Sequence, residues 1–563
     1  MGCSLAHANS STEWVLIMAT IRRIIPAVIA DDGSVHYTSV GSPPDDSIAI
    51  CHMVPDRIIP VIFVPGVMGT NLQVDDERDP NHGKAIWLVN GSLGVASDWA
   101  GKGAATRKQK LDPTKTTVYA GGNILVGQTY TLDRKLHTEA ELRRRGWGEV
   151  AYLSYGESLV WLENALNDGH ADTEYGRKGL RASLMQELVA KAQGVEPLTR
   201  EEWSLGCKYQ FPVHAVGYNW LQSNADSAET LAKKIDEFIA YYRETFRYRC
   251  EQVIIVTHSM GGLVARHYSE VLNGGQRDKI LGIVHGVMPS TGAAIVYKRI
   301  KAGTAGMAGI ALGPDAATMT AVFAQSPGPL QLLPSVEYGM NWLRIKDGNS
   351  VVSLPETDPY KEIYAQRGQW WGLCDDKLIN PLDKGKQTVE WDWKNYTDII
   401  FKKVKVFHKK IANKYHPHTY AFYGDDASHK TWGDVVWERR LPIMARSLGL
   451  GGKIDDMSTG KVVTDNGTGE QTLLQRSNGV EISPTYIMRE ARDNGDGTVP
   501  IRSGGAPGHR VKACVSYANV EHESAFRSSS GDGAKPTPQQ MFTLWAITRI
   551  AQNVKGTTLE YKE

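Results

Sequence analysis

Cysteine is scarce and scattered: six residues in 563 (Cys3, Cys51, Cys207, Cys250, Cys374 and Cys514), with no C-x-x-C pair among them. A disulfide framework or a zinc knuckle needs closer, patterned spacing, so the reading is reduced thiols in a protein made in the cytoplasm. An excess of charge of one sign is also missing, since 63 Lys and Arg face 62 Asp and Glu. That balance argues against a nucleic-acid partner and against a global attraction to anionic membranes, leaving a local apolar surface as the route to any lipid. Long hydrophobic runs are absent as well. The apolar stretch Trp14–Thr20 has no basic residue before it, and Arg22 and Arg23 interrupt the next apolar stretch. A secretory signal wants its charge ahead of the apolar segment, and a membrane span wants about 20 uninterrupted apolar residues. Met1-Gly2-Cys3 hints at acylation, but Ala6 stands where the myristoylation pattern wants Ser or Thr. A soluble chain without a standard export signal is expected.

What the chain does have is apolar material, 41% of its residues, enough for a sizeable core. Short β-branched runs closed by Gly or Pro recur at 57–64, 210–216, 252–256, 280–285, 419–423 and 511–517, the pattern of strands buried in a parallel sheet. Between the second and third lies a helix with Asp226 as N-cap and Leu231, Ile235, Phe238, Ile239, Tyr242 and Phe246 on one face. A second helix runs over 261–271. Strands alternating with helices predict a doubly wound α/β sheet. The intervals between strands exceed ordinary connections, so the expected division is a core of 50–75, 206–296, 417–424 and 484–563, with cap insertions at 76–205, 297–416 and 425–483. No internal repeat or low-complexity tract is evident.

The sharpest chemical signal is Val256-Thr257-His258-Ser259-Met260-Gly261-Gly262. A strand, a five-residue turn carrying Ser and then a helix make a nucleophile elbow, the mark of an α/β-hydrolase. Gly261 and Gly262 let the helix approach the strand without a Cβ clash. Thr257 departs from the usual first glycine at a crowded position, and His258 reads as structural. Acyl transfer also needs oxyanion donors. The amide of Met260 is one, and the turn Pro65-Gly66-Val67-Met68-Gly69 offers the amides of Val67 or Met68 as the second, where the bland alternative is a plain β-turn. Acid and base should come later in the chain, in that order. Asp496, in Asn494-Gly495-Asp496-Gly497-Thr498-Val499-Pro500, precedes the last strand, with Asp493 as a loop carboxylate nearby. His522 lies just past that strand, whereas His509 precedes it, at the wrong end of the sheet. No metal-ligand cluster and no cofactor motif is found.

Two further segments bear on substrate. Residues 302–333 are small, apolar and Gly-rich, readable as a moving lid over an acyl-chain channel or as a buried helical hairpin. A helix from Ile399 places Ile400, Val404, Phe407 and Ile411 on one face and Lys402, Lys403, Lys405, Lys409 and Lys410 elsewhere, suited to anionic headgroups or to plain solvent.

Residues 60–73 (PVIFVPGVMGTNLQ), with THSMGG and NGDGTVP, resemble the lecithin–cholesterol acyltransferase group of α/β-hydrolases. That resemblance implies an oxyanion role for Met68, a nucleophile at Ser259, a triad acid at Asp496 and a base at His522. Tyr218-Asn219-Trp220 is similar to the group's Tyr-Asp-Trp segment, with Asn in place of Asp. Residues 144–167 and 326–335 resemble bacterial lipase effectors delivered by type VI secretion. The implied activity is phospholipase-type ester hydrolysis at a transiently contacted membrane of a competitor cell. The implied partners are the secretion apparatus and a cognate immunity protein. The alternatives are an acyltransferase with the same triad, a peptidase on the same fold, and a binding protein that does no chemistry.

Overall fold

The computed structural model describes residues 22–562 apart from 26, 31–33, 40–47, 52–53, 132–134, 168–178, 305–308, 312, 425–432, 442–451, 492–511, 518–519 and 528–534. At its centre lies a six-stranded sheet of β1 (Val61–Val64), β2 (Val213–Ala215), β3 (Val253–His258), β4 (Ile280–Gly286), β5 (Thr419–Gly424) and β6 (Ala513–Tyr517). They lie side by side in the order β6-β5-β4-β3-β1-β2, and every neighbouring pair is parallel. All six coincide with the runs that the sequence pattern marks as strands, β3, β4 and β5 running one or two residues further.

Alternation along these strands divides the core. Ile62, Val64, Val253 and Ile255 face one hydrophobic cluster, while Val61, Phe63, Ile254 and Val256 face the other. Two-sided burial accounts for the continuous apolar runs. The first face is covered by helices α2 (Asn224–Thr245) and α3 (Gly261–Glu270). The second is covered by α1 (Tyr152–Asn167) and α4 (Pro538–Ile550). Helix α1 belongs to segment 76–205, so part of that insertion forms a layer of the core itself. Leu231, Ile235, Phe238, Ile239 and Tyr242 of α2 are buried as their spacing predicts. Its N-cap, however, is Ser223, whose Oγ accepts from the amide of Ala225. Asp226, the expected cap, sits in the first turn instead, where its negative charge suits the helix dipole.

Outside the core sheet lies structure that the sequence pattern does not announce, and one of its strands, Thr485–Ala491, comes from 484–563, the segment expected to belong to the core. Strands Leu343–Asp347, Ser350–Leu354, Asp434–Arg439, Lys461–Asp465, Glu470–Ser477, Val480–Ile482 and Thr485–Ala491 form a second, seven-stranded sheet. It joins the second and third insertions, because Leu343–Asp347 pairs in parallel with Asp434–Arg439. In segment 302–333, the helix Ala316–Phe323 buries Met319, Val322 and Phe323. The helix expected from Ile399 starts earlier, at Val389, and continues through a π-helical stretch, Ile399–Val404, into Lys405–Ile411. Ile400, Val404, Phe407 and Ile411 are buried as predicted.

Candidate active site

Strand β3 ends at His258, and α3 begins at Gly261, leaving Ser259 and Met260 to turn the chain. Ser259 has φ of 50°, a left-handed conformation that is uncommon for a residue with a side chain and clusters at functional sites. Packing holds it there. A Cβ on Gly261 would lie 2.4 Å from the carbonyl oxygen of Val64 and 2.5 Å from that of Pro65. A Cβ on Gly262 would meet Met288 Sδ at 2.5 Å. Only glycine allows α3 to start this close to β1. Thr257 fits its crowded position because its Oγ1 is hydrogen-bonded to Nδ1 of His285, 2.7 Å away. The two residues face each other across β3 and β4, so the hydroxyl is buried with a partner.

His522 lies in the loop after β6, and its Nε2 is 2.9 Å from Ser259 Oγ. Three anchors fix the loop. The Phe526 ring packs 5.2 Å from Phe63 and 5.6 Å from His258. Ser158 Oγ, from α1, donates to the Phe526 carbonyl. His258 Nε2 bonds to the His522 carbonyl oxygen at 2.9 Å. At the loop's start, the Glu521 carboxylate accepts the amides of Glu523 and Ser524 at 2.9 and 2.8 Å. Burial, assisted by His258 and Arg299, pushes the His522 imidazole down to about 3. A carboxylate beside its other nitrogen would favour the charged form. Asp496, the sequence candidate for that part, lies outside the described residues, as do Asp493 and His509.

The Pro65–Gly69 segment sits against Ser259. The amide of Gly69 bonds back to the carbonyl of Gly66 at 3.0 Å, and Met68 has φ of 63°, as expected at the third position of a type II turn. A Cβ on Gly66 would lie 3.1 Å from the Cβ of Ser259. The turn is held by Trp87 Nε1, which donates to the Met68 carbonyl at 2.9 Å, and by the Tyr218 hydroxyl, which donates to the Pro65 carbonyl at 2.8 Å. Val67 and Met68 are half-buried at this turn, and Met260 opens α3 on the other side of Ser259. Thus Ser259, His522, Met260 and the Val67–Met68 turn meet in one place.

Tyr218, Trp87 and Tyr155 are supporting residues that sequence reasoning missed. Only Tyr218 left a signal, through the Tyr218-Asn219-Trp220 segment. In that segment Asn219 Nδ2 donates to the Thr116 carbonyl at 2.7 Å and its Oδ1 accepts the Leu221 amide, while Trp220 packs 5.5 Å from Trp87. A cavity of about 730 Å³ lies at the far end of α3, lined by Glu270, Arg277, Lys414 and Tyr415. Helix α3 has 10 residues, roughly 15 Å of axis, so this cavity lies a helix length away from Ser259. Among the described residues no group of three or more His, Cys, Asp or Glu is disposed to hold a metal ion. None of their helices is long and apolar enough to cross a membrane.

The sequence model of the family described as lecithin:cholesterol acyltransferase matches residues 203–528. That span holds the elbow, the base loop and five of the six core strands. A solved structure, the crystal structure of the Tle4–Tli4 complex, is 29% identical, with a TM-score of 0.70 over 88% of this chain and 98% of that one. Phospholipase PlaB from Legionella pneumophila in complex with thio-NAD is far more distant, 11% identical with a TM-score of 0.17 over 69% of this chain and 95% of that one. No curated protein sequence matches. The fold is the α/β-hydrolase type that the alternating strands and the elbow predict.

Proposed function

The chain belongs to the lecithin:cholesterol acyltransferase family and is an ester hydrolase of the lipase kind, and from that premise we propose that it is a phospholipase A-type enzyme working through Ser259, His522 and Asp496. The observation that carries this reading is the 2.9 Å contact between Ser259 Oγ and His522 Nε2 at a strained strand-to-helix turn. In the proposed reaction Ser259 Oγ attacks the ester carbonyl while His522 Nε2 takes its proton. The amides of Met260 and of Val67 or Met68 hold the oxyanion. His522 then gives the proton to the departing alcohol. Water, deprotonated by the same imidazole, attacks the acyl-serine and releases the fatty acid. Asp496 orients the imidazole and stabilises its charged form.

Two finer parts of the reading rest on likeness. The Tle4–Tli4 structure is a complex of two proteins, which supports a protein partner for this chain, read here as an immunity protein that protects the producing cell. Delivery by a type VI apparatus to a competitor's phospholipids is inferred from the effector-like segments 144–167 and 326–335. A second reading, transfer of the acyl group to an alcohol instead of water, is favoured by the family's own description.

A fluorophosphonate probe tests the nucleophile. It should label one residue, found by mass spectrometry on the peptide containing Ser259, with loss of ester hydrolysis in proportion to labelling. Full inactivation with label elsewhere would refute the assignment. Adding an acceptor alcohol to the vesicle assay separates the two readings, since a transferase forms the new ester at the expense of free fatty acid.

A further inference from the structure

Three chain segments far apart in sequence, near residues 66, 259 and 522, must hold their mutual distances for acyl transfer to proceed. One continuous hydrogen-bonded chain links all three. The Gly66 amide donates to the Tyr155 hydroxyl at 3.2 Å. The Tyr155 hydroxyl is 2.7 Å from His258 Nδ1. His258 Nε2 is 2.9 Å from the carbonyl oxygen of His522. Tyr155 and His258 are 3% and 5% exposed, so no solvent competes for these groups.

The direction of every bond is set by the chemistry. The carbonyl of His522 can only accept, so His258 carries its proton on Nε2. Burial holds His258 neutral, its pKa pushed down to about 4, which leaves Nδ1 bare and able only to accept. The Tyr155 hydroxyl therefore donates to Nδ1, and its oxygen is left to accept from Gly66. No member has an alternative role without breaking a neighbour's bond. Ring packing stiffens the array, with Tyr155 4.9 Å from Phe63 and 5.6 Å from His258.

We infer that Tyr155 and His258 are positioning residues, a buried brace that locks the oxyanion turn and the base loop to the nucleophile elbow. This rests on the serine-hydrolase reading above. Tyr155 comes from α1, so the first insertion supplies a part on which the catalytic geometry depends. His258 is adjacent to Ser259 in sequence, and any displacement of its ring moves the nucleophile and the base together.

Steady-state kinetics of the full-length protein on a soluble short-chain ester test the brace, with Tyr155→Phe, His258→Gln and the double variant compared. Small misplacements of a reacting group cost up to about 100-fold, so each single variant should lose about 10- to 100-fold in kcat with KM within about threefold. The double variant should be no slower than the worse single, because either change breaks the same chain. Tyr242→Phe is the control. It removes another buried His–Tyr bond, Tyr242 Oη to His214 Nε2 at 2.9 Å, and should lower Tm while leaving kcat unchanged. The brace is refuted if both singles keep the parental kcat, if their losses multiply in the double variant, or if Tyr242→Phe loses as much kcat. Should Tyr155→Phe fail to fold, His258→Gln against Tyr242→Phe decides the matter alone. Ser259→Ala in parallel separates the failures: full turnover there removes the reaction the brace serves and overturns both readings, whereas lost turnover there with undiminished brace variants overturns the brace only.

Discussion

Ser259 is strained by its φ of 50°, and the strain is sustained by backbone neighbours that only glycine permits at 261. That much is legible in the sequence, because a strand, a turn and a helix in succession fix where a nucleophile must stand. Thr257 is the awkward residue in the motif, and the structure explains it by the hydroxyl's bond to His285. Tyr155 leaves no trace in the sequence. It is 103 residues from its partner His258, and a tyrosine on an apolar helix face looks like any core tyrosine. His522 makes the most definite demand at this scale. With its pKa pushed to about 3 by burial and by the neighbouring His258 and Arg299, it would gain as a base from a carboxylate beside it. If Asp496 supplies it, Asp496→Asn removes a negative charge that favours the imidazolium, and the pKa of His522 falls. The acid limb of the kcat/KM profile should then move to lower pH, and the plateau should fall by about 10⁴-fold. A pH–rate profile checks both. An unchanged plateau would assign the acid to another residue.

At the scale of elements, five of the core strands are legible because they are buried almost throughout and so read as unbroken apolar runs, whereas β6, at the sheet edge, is only part-buried with Ser516 exposed. The seven-stranded sheet is not legible. Its strand Lys461–Asp465 is exposed throughout, and Leu343–Asp347 pairs in parallel with Asp434–Arg439, so neither a clean period nor a nearby turn announces it. The N-cap of α2 lies three positions before the expected one, since Ser223 and Asp226 both suit a helix start and only the backbone decides between them. In the proposed mechanism the His522 loop is the element on which catalysis most depends, and Phe526 is its plug. Its ring sits among Phe63, His258 and Phe422. Phe526→Ala should cost about 3–5 kcal/mol of stability, measured by urea denaturation, and should slow ester turnover at temperatures where the variant is still folded. Turnover at the parental rate in a destabilised variant would show that the loop keeps His522 in place without its plug.

For the whole molecule, the large insertions are not appendages. Segment 76–205 gives α1 to one face of the core sheet and Tyr155 and Ser158 to the site. Arg107, buried in the same segment, donates to the carbonyls of Ile310 and Ala311 in the next insertion. On the proposed mechanism, catalytic geometry is a property of the assembled chain and not of the hydrolase core alone. The most direct measurement is release of fatty acid by wild type and Ser259→Ala from phospholipid vesicles and from a soluble short-chain ester. The account predicts that wild type cleaves both and that Ser259→Ala loses both by about 10⁴-fold or more. Full activity in Ser259→Ala would contradict the mechanism, and cleavage of the soluble ester without the vesicles would contradict the phospholipid substrate.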